Sequence, residues 1–231
     1  MNYWRLMAIL SARQLGKRYA DRWVLKGIEL DLEPGERLAI LGPSGCGKTT
    51  MLNLLGGLDR PDEGSVMLEG QDLTGITPFE RSRIRRERVG TIFQFFHLIP
   101  TLTASENIEL PLQLLGWSTS RIEERVGALL TSIGLKDRAH AWTHELSGGE
   151  QQRIAVARAL ASKPAVLLAD EPTGNLDRAS GLNILSLLSK LTQQESTALV
   201  MVTHSEEAAK TCQKVLRLVD GKMQGCIEVI S

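Results

Sequence analysis

Short apolar runs alternate with amphipathic stretches along most of the chain, and the runs have the composition of β-strands. In chain order they read RLAIL, GSVMLEG, RVGTIFQ, AVLLADEP, TALVMVTHS and VLRLVDGKM. AVLLADEP is apolar without interruption as far as Ala169, which is typical of a parallel strand covered on both faces. Pro34-Gly35 predicts a turn before RLAIL, and Asp220-Gly221 predicts a hairpin near the C-terminus. The pattern predicts an α/β fold with a mainly parallel sheet, whose ligands bind at the carboxyl ends of the strands.

The middle third of the chain has a different periodicity. From about Thr101 to Ser162 the pattern is helical, and the stretch RIEERVGALLTSIGL places its apolar residues on a single stripe. The stripe consists of Ile122, Val126, Leu129, Leu130 and Ile133, and it ends at Gly134. We therefore predict one domain over residues 1–231, with an α/β core at 1–95 and 164–231. The N-terminal part of this core is antiparallel β, and a helical subdomain is inserted at 96–163.

Composition limits the classes of partner. Lys and Arg number 27, as do Asp and Glu, so the formal net charge is zero and gives no reason to expect non-specific binding to nucleic acid or anionic lipid. Cys46, Cys212 and Cys226 form no CxxC pair and fit a reducing cytosol better than a disulfide framework. No apolar run approaches the roughly 20 residues that span a bilayer, and MNYWRLMAIL is a poor signal peptide. Met7 is an alternative to Met1 as the natural start.

The stretch GPSGCGKTT matches the phosphate-binding pattern G-x-x-x-x-G-K-[ST] and lies between a predicted strand and a predicted helix. Its candidate nucleotide-binding residues are Gly42, Pro43, Ser44, Gly45, Cys46, Gly47, Lys48, Thr49 and Thr50. The glycines allow backbone N–H groups to turn inward around the phosphates, and the helix start adds its positive end. Lys48 supplies a charge to the same oxygens, and the Thr49 hydroxyl suits Mg²⁺. Cys46 is either an inert small residue or a thiol made acidic by the helix start.

Two carboxylates follow the buried strand AVLLA. Asp170 and Glu171 are costly there unless a cation offsets them; the alternative is a solvated pair at the strand end. With a phosphate loop on a neighbouring strand, we predict that Asp170 binds Mg²⁺ and that Glu171 is the general base for the attacking water. His204 ends TALVMVTH, and Gln94 ends GTIFQ. His204 is either a core-edge residue or a contact to the γ-phosphate, and Gln94 can orient a water or a metal-bound oxygen.

A second glycine-containing stretch, LSGGEQQR, precedes a strongly helical segment. Ser147 and Glu150 fit a capping box, with Ser147 as the N-cap and Glu150 at the third helical position. Capping does not require Gly148 and Gly149, whereas close approach of the backbone to an anion does. The stretch therefore predicts a second phosphate contact, separate from the phosphate loop.

Together these motifs resemble the ATP-binding-cassette nucleotide-binding domain, and the resemblance covers nearly the whole chain. LSGGEQQR matches the signature sequence of that superfamily and separates it from other phosphate-loop ATPases. The resemblance implies that Tyr19 stacks on adenine and that the loop GNLD, which ends at Asp177, crosses a dimer interface. It also implies that the SGGE residues, 147–150, contact ATP bound to the phosphate loop of a second copy. Gln94 joins Thr49 and Asp170 as an implied Mg²⁺ ligand.

The resemblance extends to a branch of the superfamily. FQFFHLIPTLTASENIELPL and LLADEPTGNLD look like the branch that serves lipoprotein release, macrolide-type efflux and related export. This implies a cytoplasmic ATPase, peripheral on the inner face of the cell membrane, that drives a permease and, through it, a periplasmic adaptor. One alternative is a regulatory ATPase of cell division. Another is a DNA-repair or chromosome-organising ATPase, whose long coiled-coil or clamp insertions the chain has no room for.

Three further expectations concern individual positions. Glu150 stands where the superfamily commonly has Gln, and we expect it to turn toward its own helix start. The apolar residues of 95–100 are expected to be mostly core, with part of them forming a groove for the permease; they are Phe95, Phe96, Leu98, Ile99 and Pro100. The arginines between 81 and 88 are interleaved with Glu and lack aromatic neighbours within the run, so we expect a solvated helix face and no nucleic-acid partner.

Overall fold

The computed structural model describes residues 8–228, with side chains as far as residue 225. The strands are β1 (Leu10–Tyr19), β2 (Arg22–Leu32), β3 (Arg37–Leu41), β4 (Glu63–Leu68), β5 (Gln71–Asp72), β6 (Val89–Ile92), β7 (Val166–Asp170), β8 (Ala198–Thr203), β9 (Lys214–Val219) and β10 (Lys222–Glu228). The α-helices are α1 (Lys48–Leu55), α2 (Pro78–Arg88), α3 (Ala104–Leu114), α4 (Thr119–Ser132), α5 (Gly148–Leu160), α6 (Arg178–Glu195) and α7 (Glu206–Ala209). The choice between Met1 and Met7 as the start lies outside the described residues.

Within residues 8–228 the strands form two sheets. The smaller sheet is antiparallel with the order β2-β1-β4-β5, and the larger has the order β10-β9-β3-β8-β7-β6. The strands of the larger sheet run parallel except β10, which pairs antiparallel with β9. At that hairpin Asp220 and Gly221 have φ of 47° and 72°, the positive values that favour an Asp-Gly turn. The predicted mainly parallel sheet with an antiparallel N-terminal part is confirmed.

The larger sheet is covered on both faces, which explains its uninterrupted apolar strands. Along β7, Val166 and Leu168 belong to one hydrophobic cluster, while Leu167 and Ala169 belong to another. The first cluster includes side chains of α1 and of the antiparallel sheet, and the second includes side chains of α3, α4, α5 and α6. Because successive strand residues face opposite clusters, polar side chains are accommodated mainly where the strands end. The chemistry of the chain is therefore concentrated at the strand ends.

The helical interruption predicted from the sequence lies between β6 and β7, where α3, α4 and α5 pack against one another. The predicted stripe of α4 and its cap is buried: Ile122, Val126, Leu129, Leu130 and Ile133. Gly134 follows with φ of 69°, a conformation that suits glycine after a helix. The boundaries of the subdomain at 96 and 163 stay a prediction. Among the described helices, none is long and apolar enough to cross a bilayer.

Two expectations about the segment after β6 are wrong. β6 ends at Ile92, so Gln94 lies two residues beyond the strand instead of at its end. The apolar residues expected to be mostly core are all described, and none of them is buried: Phe95, Phe96, Leu98, Ile99 and Pro100. Because Arg158 of α5 donates to the carbonyl oxygens of Phe96 and His97, at 3.0 and 2.6 Å, this segment is held as a surface loop.

The expectation of a solvated arginine face on α2 is wrong for its inner side. Arg81 is 8% exposed and lies against Gly57, where an added Cβ would come within 3.0 Å of the Arg81 Cγ. Arg85 is half-buried, and its Nη1 donates to the carbonyl oxygen of Gly57 at 2.7 Å. Burial lowers the pKa of Arg85, and the charge of Arg81 adds to that shift. The long stems of these side chains let α2 pack through arginines on the face that also buries Ile84.

Arg125 of α4 connects the helical insertion to the core. Its Nε and Nη2 donate to the carbonyl oxygens of Ala161 and Leu160 at 3.1 and 2.7 Å, at the C-terminal end of α5. Its Nη1 lies 2.6 Å from Oε1 of Glu195 at the end of α6. The last carbonyls of a helix have no partner within the helix, so this guanidinium caps α5 and pairs with α6 at the same time.

Replacing Arg125 by Leu should lower the free energy of unfolding by about 2–4 kcal/mol, because it leaves two helix-end carbonyls and one partly buried carboxylate without their donor. Urea unfolding followed by circular dichroism measures the loss. Arg121 lies one turn earlier on α4 and stacks on Trp117 at 3.4 Å, so Arg121→Leu is the matched control. We expect that control to cost about 1 kcal/mol or less. Equal losses in the two variants would contradict this account of Arg125.

Candidate active site

The phosphate-binding loop lies between β3 and α1, the context that the motif requires. Gly45 and Gly47 have φ of 78° and 107°, which a side chain would disfavour. A Cβ on Gly42 would lie 2.5 Å from the Leu218 carbonyl oxygen and 2.7 Å from the Sγ of Cys46, so the loop approaches β9 too closely for a side chain there. Gly47 precedes α1 and has no side chain to cap it, which leaves the first N–H groups of the helix for a ligand.

Lys48 is buried at the base of this loop. Its Nζ donates to the carbonyl oxygens of Gly42 and Pro43 at 2.8 and 3.0 Å. The same atom lies 3.6 Å from Oε1 of Glu171. The ammonium group therefore stands between the loop and the acidic strand end, where it can serve either a phosphate or a carboxylate.

Asp170 ends β7 and meets α1 through Thr49. The Thr49 hydroxyl donates to Oδ2 of Asp170 at 2.8 Å. The pKa of Asp170 lies above its ordinary value, because burial and the charge of Glu171 raise it. The hydrogen bond from Thr49 and the charge of Lys48 lower the pKa but do not cancel these effects. Burial, the largest of these effects, thus disfavours the ionised form of the carboxylate in the absence of a cation. A carboxylate beside a hydroxyl is the oxygen donor set that Mg²⁺ prefers, and the cation would stabilise the ionised form, so these residues fit a magnesium site.

Glu171 adopts φ of 46°, a conformation uncommon for residues other than glycine. Its Oε2 accepts hydrogen bonds from the Thr203 hydroxyl at 3.2 Å and the His204 backbone N–H at 3.3 Å, and lies 2.9 Å from Nδ1 of His204. β8 ends at Thr203, so His204 follows the strand, and its side chain is 64% exposed. The structure brings Glu171 and His204 together at the ends of two neighbouring strands.

A cleft of about 340 Å³ joins these groups. It is lined by Val24, Ser44, Gly45, Gly47, Lys48, Thr49, Thr50, Gln94, Asp170 and Glu171. Gln94 reaches it from the surface loop after β6, where the side-chain amide of Asn175 donates to the Gln94 carbonyl oxygen at 2.9 Å. Val24 was not predicted; its Cγ1 would lie 3.1 Å from a Cβ on Gly47, and as an apolar strand residue it carries no motif that could have marked it.

Tyr19 ends β1 and is 50% exposed. Its hydroxyl donates to Oδ2 of Asp59 at 3.0 Å, and the Nζ of Lys17 lies 3.1 Å from Oδ1 of Asp59 and 5.4 Å from the centre of the Tyr19 ring. These contacts fix the ring while leaving part of it open to an aromatic ligand. Tyr19, though described, is not among the residues that line the cleft.

The SGGE residues form the capping box that the sequence predicts. The Ser147 hydroxyl accepts from the Glu150 N–H at 3.3 Å, while Oε2 of Glu150 accepts from the Ser147 N–H and hydroxyl, both at 2.8 Å. The bonds from the Ser147 backbone and hydroxyl hold the pKa of Glu150 below its ordinary value of 4.5. Glu150 is therefore turned toward its own helix start, as expected.

None of the SGGE residues is among the described residues that line the cleft, and Asp177 lines a second hollow, which it shares with Glu171 and His204. Gly149 faces the start of α6, where an added Cβ would lie 3.5 Å from the Ser180 hydroxyl. Asp177 caps α6 by accepting from the Ser180 N–H at 3.0 Å. Most of the predicted nucleotide ligands thus surround the phosphate loop, while the SGGE residues lie at the start of α5 and do not line the same cleft.

Two contacts of α5 with the core were not predicted. Gln152 donates through Nε2 to the carbonyl oxygen of Pro172 at 2.5 Å, directly after Glu171. Arg158 makes the two bonds to the loop after Gln94 described above, and burial lowers its pKa. Both residues appear in the sequence as ordinary polar positions of a helix, and no periodicity distinguishes them from solvated ones.

The chain is similar to known proteins in sequence and in structure. The ABC transporter family model matches residues 25–174. An uncharacterized ABC transporter ATP-binding protein of Methanocaldococcus jannaschii is 46% identical, over 94% of this chain and 95% of that protein. The lipoprotein-releasing system ATP-binding protein LolD of Pseudomonas syringae pv. tomato is 44% identical, over 94% of this chain and 97% of that protein. The macrolide export ATP-binding/permease protein MacB of Syntrophobacter fumaroxidans is 40% identical, over 94% of this chain but 31% of that protein.

A solved structure agrees with the sequence relatives. A dimeric ATP-binding cassette in a post-hydrolysis state, bound to ADP and Pi, has a TM-score of 0.86 to this chain at 36% identity. The match covers 96% of this chain and 99% of that one. With the phosphate loop, the acidic end of β7 and the SGGE helix start on one cassette fold, the chain belongs to the ABC transporter family and is an ATP-hydrolysing subunit of it.

Proposed function

We propose that the protein works as a homodimer that binds two MgATP at its interface, each between the phosphate loop of one copy and the SGGE residues of the other. The observation that supports this is the separation of the two ligand groups on one chain. The cleft offers Lys48 and the start of α1 to the phosphates, and its lining includes no described residue of α5. The start of α5 presents an exposed Ser147 and the first backbone N–H groups of the helix, which can bind a phosphate of a second molecule. The dimeric state of the solved cassette bound to ADP and Pi accords with this arrangement.

The residues of the cleft divide the work of phosphate binding. Lys48 would bind phosphate oxygens through Nζ, and the loop would bind them through its backbone N–H groups. Thr49 and Asp170 would hold Mg²⁺, and Gln94, which lines the same cleft from the loop after β6, would be a further ligand. Bound there, Mg²⁺ would stabilise the charge that develops on the phosphate oxygens during cleavage. Tyr19 would stack on adenine, and Asp177 would lie at the dimer interface.

Glu171 would be the general base for the attacking water. Its Oε2 is fixed by Thr203 and His204, while Oε1 faces the Lys48 ammonium at 3.6 Å. A triphosphate is a stronger partner for the Lys48 ammonium than the loop carbonyl oxygens are. Because the ammonium would then bind phosphate oxygens, Oε1 of Glu171 would be able to accept the proton of the water. General base catalysis of this kind contributes about 10²–10⁴ in rate. His204, whose ring is exposed, would contact the γ-phosphate.

A groove on the other side of α1 suits a membrane partner. It has a volume of about 350 Å³ and a largely apolar lining. The lining includes Leu52, Leu58, Val89, Phe93 and Leu168, and two arginines, Arg85 and Arg86, add positive charge. Such a surface fits an amphipathic helix with acidic residues on its polar side. Since Thr49 and Asp170 also line this groove, a helix seated in it would lie against the back of the metal site.

We infer that this groove receives a cytoplasmic segment of a permease, so that nucleotide binding and hydrolysis change the shape of the membrane partner. The names of the relatives favour a permease of the lipoprotein-release or macrolide-export branch, reaching a periplasmic adaptor through its external domain. The protein would then lie peripherally on the cytoplasmic face of the inner membrane.

Leu58 provides the test of this docking. It is 61% exposed and belongs to the groove, so Leu58→Glu adds a charge where an apolar helix would pack without disturbing the core. We expect the ratio of permease-stimulated to basal ATP turnover in liposomes to fall by about tenfold or more, because a buried unpaired charge costs several kcal/mol at such an interface. Trp142→Glu, at an exposed apolar residue outside the groove, is the control. A normal ratio and normal co-purification of the permease with Leu58→Glu would reject the groove as the docking site.

A further inference from the structure

Gln152 is a buried polar residue whose single hydrogen bond has a particular target. It lies in the second turn of α5 and is 0% exposed. Its Nε2 donates to the carbonyl oxygen of Pro172 at 2.5 Å. Its Oε1 is buried without a hydrogen-bond partner among the described residues. A glutamine that is fully buried and makes one of its four possible side-chain hydrogen bonds indicates that the bond to Pro172 has a specific role.

The backbone around Pro172 determines where the proposed base points. Glu171 holds a positive φ, which non-glycine residues keep only when their surroundings enforce it. Its N–H donates to the Val202 carbonyl oxygen at 3.0 Å, and its carbonyl oxygen accepts from the Gly174 N–H at 2.9 Å. The bond from Gln152 fixes the next carbonyl along the chain. Of these three bonds, the first is to β8, the second lies within the turn after Glu171, and the third comes from α5.

We propose that Gln152 is a positioning residue for Glu171 of its own chain, and that α5 thereby links the two nucleotide sites of the dimer. This inference rests on the proposed function. Ser147 and Gln152 are five residues apart on one rigid helix, which is about 7.5 Å along its axis. The start of α5 faces the nucleotide of the second copy, while Gln152 orients the base that acts on the nucleotide of its own copy. When the start of α5 binds the nucleotide of the second copy, a shift of the helix therefore moves Glu171, the base that acts on the nucleotide of its own copy.

Gln152→Met tests the role, because it keeps the length of the side chain and removes the donor. We expect kcat to fall by about 10–100-fold with KM for ATP within threefold, because a displaced base slows the chemical step and the phosphate contacts remain. Gln151→Met is the matched control: the neighbouring glutamine donates to the Leu146 carbonyl oxygen at 3.0 Å, away from Glu171. A Gln152→Met protein with the parent kcat would overturn the proposal.

Mixing two variants shows whether Gln152→Met impairs the nucleotide site of its own chain or that of the partner chain. A purely structural role would not favour one site over the other. Lys48→Ala disables the site of its own chain, whereas Ser147→Arg disables the site of the other. If Gln152 acts on its own chain, mixing Gln152→Met with Ser147→Arg leaves one intact site in each mixed dimer, and turnover returns. Mixing Gln152→Met with Lys48→Ala leaves none, and turnover stays low.

The opposite pattern would overturn the proposal, because recovery with Lys48→Ala and not with Ser147→Arg means that Gln152 merely shapes the SGGE surface of α5. The pair Lys48→Ala with Ser147→Arg is the reference and must recover turnover if the dimer itself is correct. Should that reference fail, the dimer proposal fails, and the separate changes of kcat and KM in Gln152→Met still decide the role of the residue. Gln152→Leu replaces the Met variant in every arm if the latter does not fold.

Discussion

Replacing Glu171 by Gln should stop ATP turnover while leaving ATP bound. The amide keeps an oxygen that can accept the hydrogen bonds from Thr203 and His204, so the shape of the site is retained. It has no basic oxygen to take the proton of the water, and the rate should fall by about 10²–10⁴. Because the groups that bind nucleotide remain, the closed dimer should accumulate with ATP. Phosphate release and size-exclusion chromatography with MgATP measure the two effects.

Glu206→Gln is the control for this variant. Glu206 is an exposed carboxylate at the start of α7 that pairs with Arg217, so its loss should leave both turnover and dimer formation unchanged. If Glu171→Gln hydrolysed ATP at the parent rate, the proton would have to be accepted elsewhere, and the assignment of the base would be wrong. If Glu171→Gln lost turnover but formed no more dimer with MgATP than the parent does, the proposal that ATP binds between two copies would be contradicted instead.

Lys48→Met should remove most of the affinity for ATP. The ammonium group lies among two loop carbonyls and the Glu171 carboxylate, and it is the one buried lysine that lines the cleft among the described residues. Hydrogen bonds to charged groups contribute about 1.5–3 kcal/mol, so affinity should drop by about 10–100-fold. A ligand that binds the folded state raises its melting temperature, so thermal unfolding with and without MgATP reports the loss as a missing upward shift.

Lys190→Met, at an exposed lysine of α6, should keep the full ATP-dependent shift in melting temperature. The comparison matters because Lys48 also compensates the acidic strand end, and its loss can change the stability of the protein without nucleotide. The decisive quantity is therefore the difference that ATP makes within each variant. An undiminished shift in Lys48→Met would contradict the role of this residue in phosphate binding.

The parts of the fold that could be predicted are those where one local rule dominates. The apolar runs of β7 and β8 identify strands covered on both faces because their alternate residues face two hydrophobic clusters. Asp220-Gly221 predicts its turn because few other pairs tolerate two positive φ values. The phosphate loop and the capping box of α5 are likewise encoded within a few consecutive residues, so their local structure follows from the sequence directly.

The remaining features depend on contacts between segments that are distant in sequence. Such contacts explain the predictions that were wrong. An apolar run such as the one after Gln94 favours burial, but Arg158 holds this loop at the surface. Arginines favour solvent, but Arg81 lies along Gly57 because that glycine leaves room for its stem. Gln152 resembles any polar helical residue until its distance to Pro172 is known. In each case the partner that decides the outcome is remote in sequence.

The helix α5 has a consequence for how this protein can vary. Its 13 residues begin at the SGGE surface, contact the carbonyl after Glu171 through Gln152, and end near the loop held by Arg158. A substitution that rotates or tilts the helix to suit one of these neighbours disturbs the other two. Beneficial changes along it should therefore arise in combination, and an ancestral or designed variant that alters a single position should show strong epistasis with its helical neighbours.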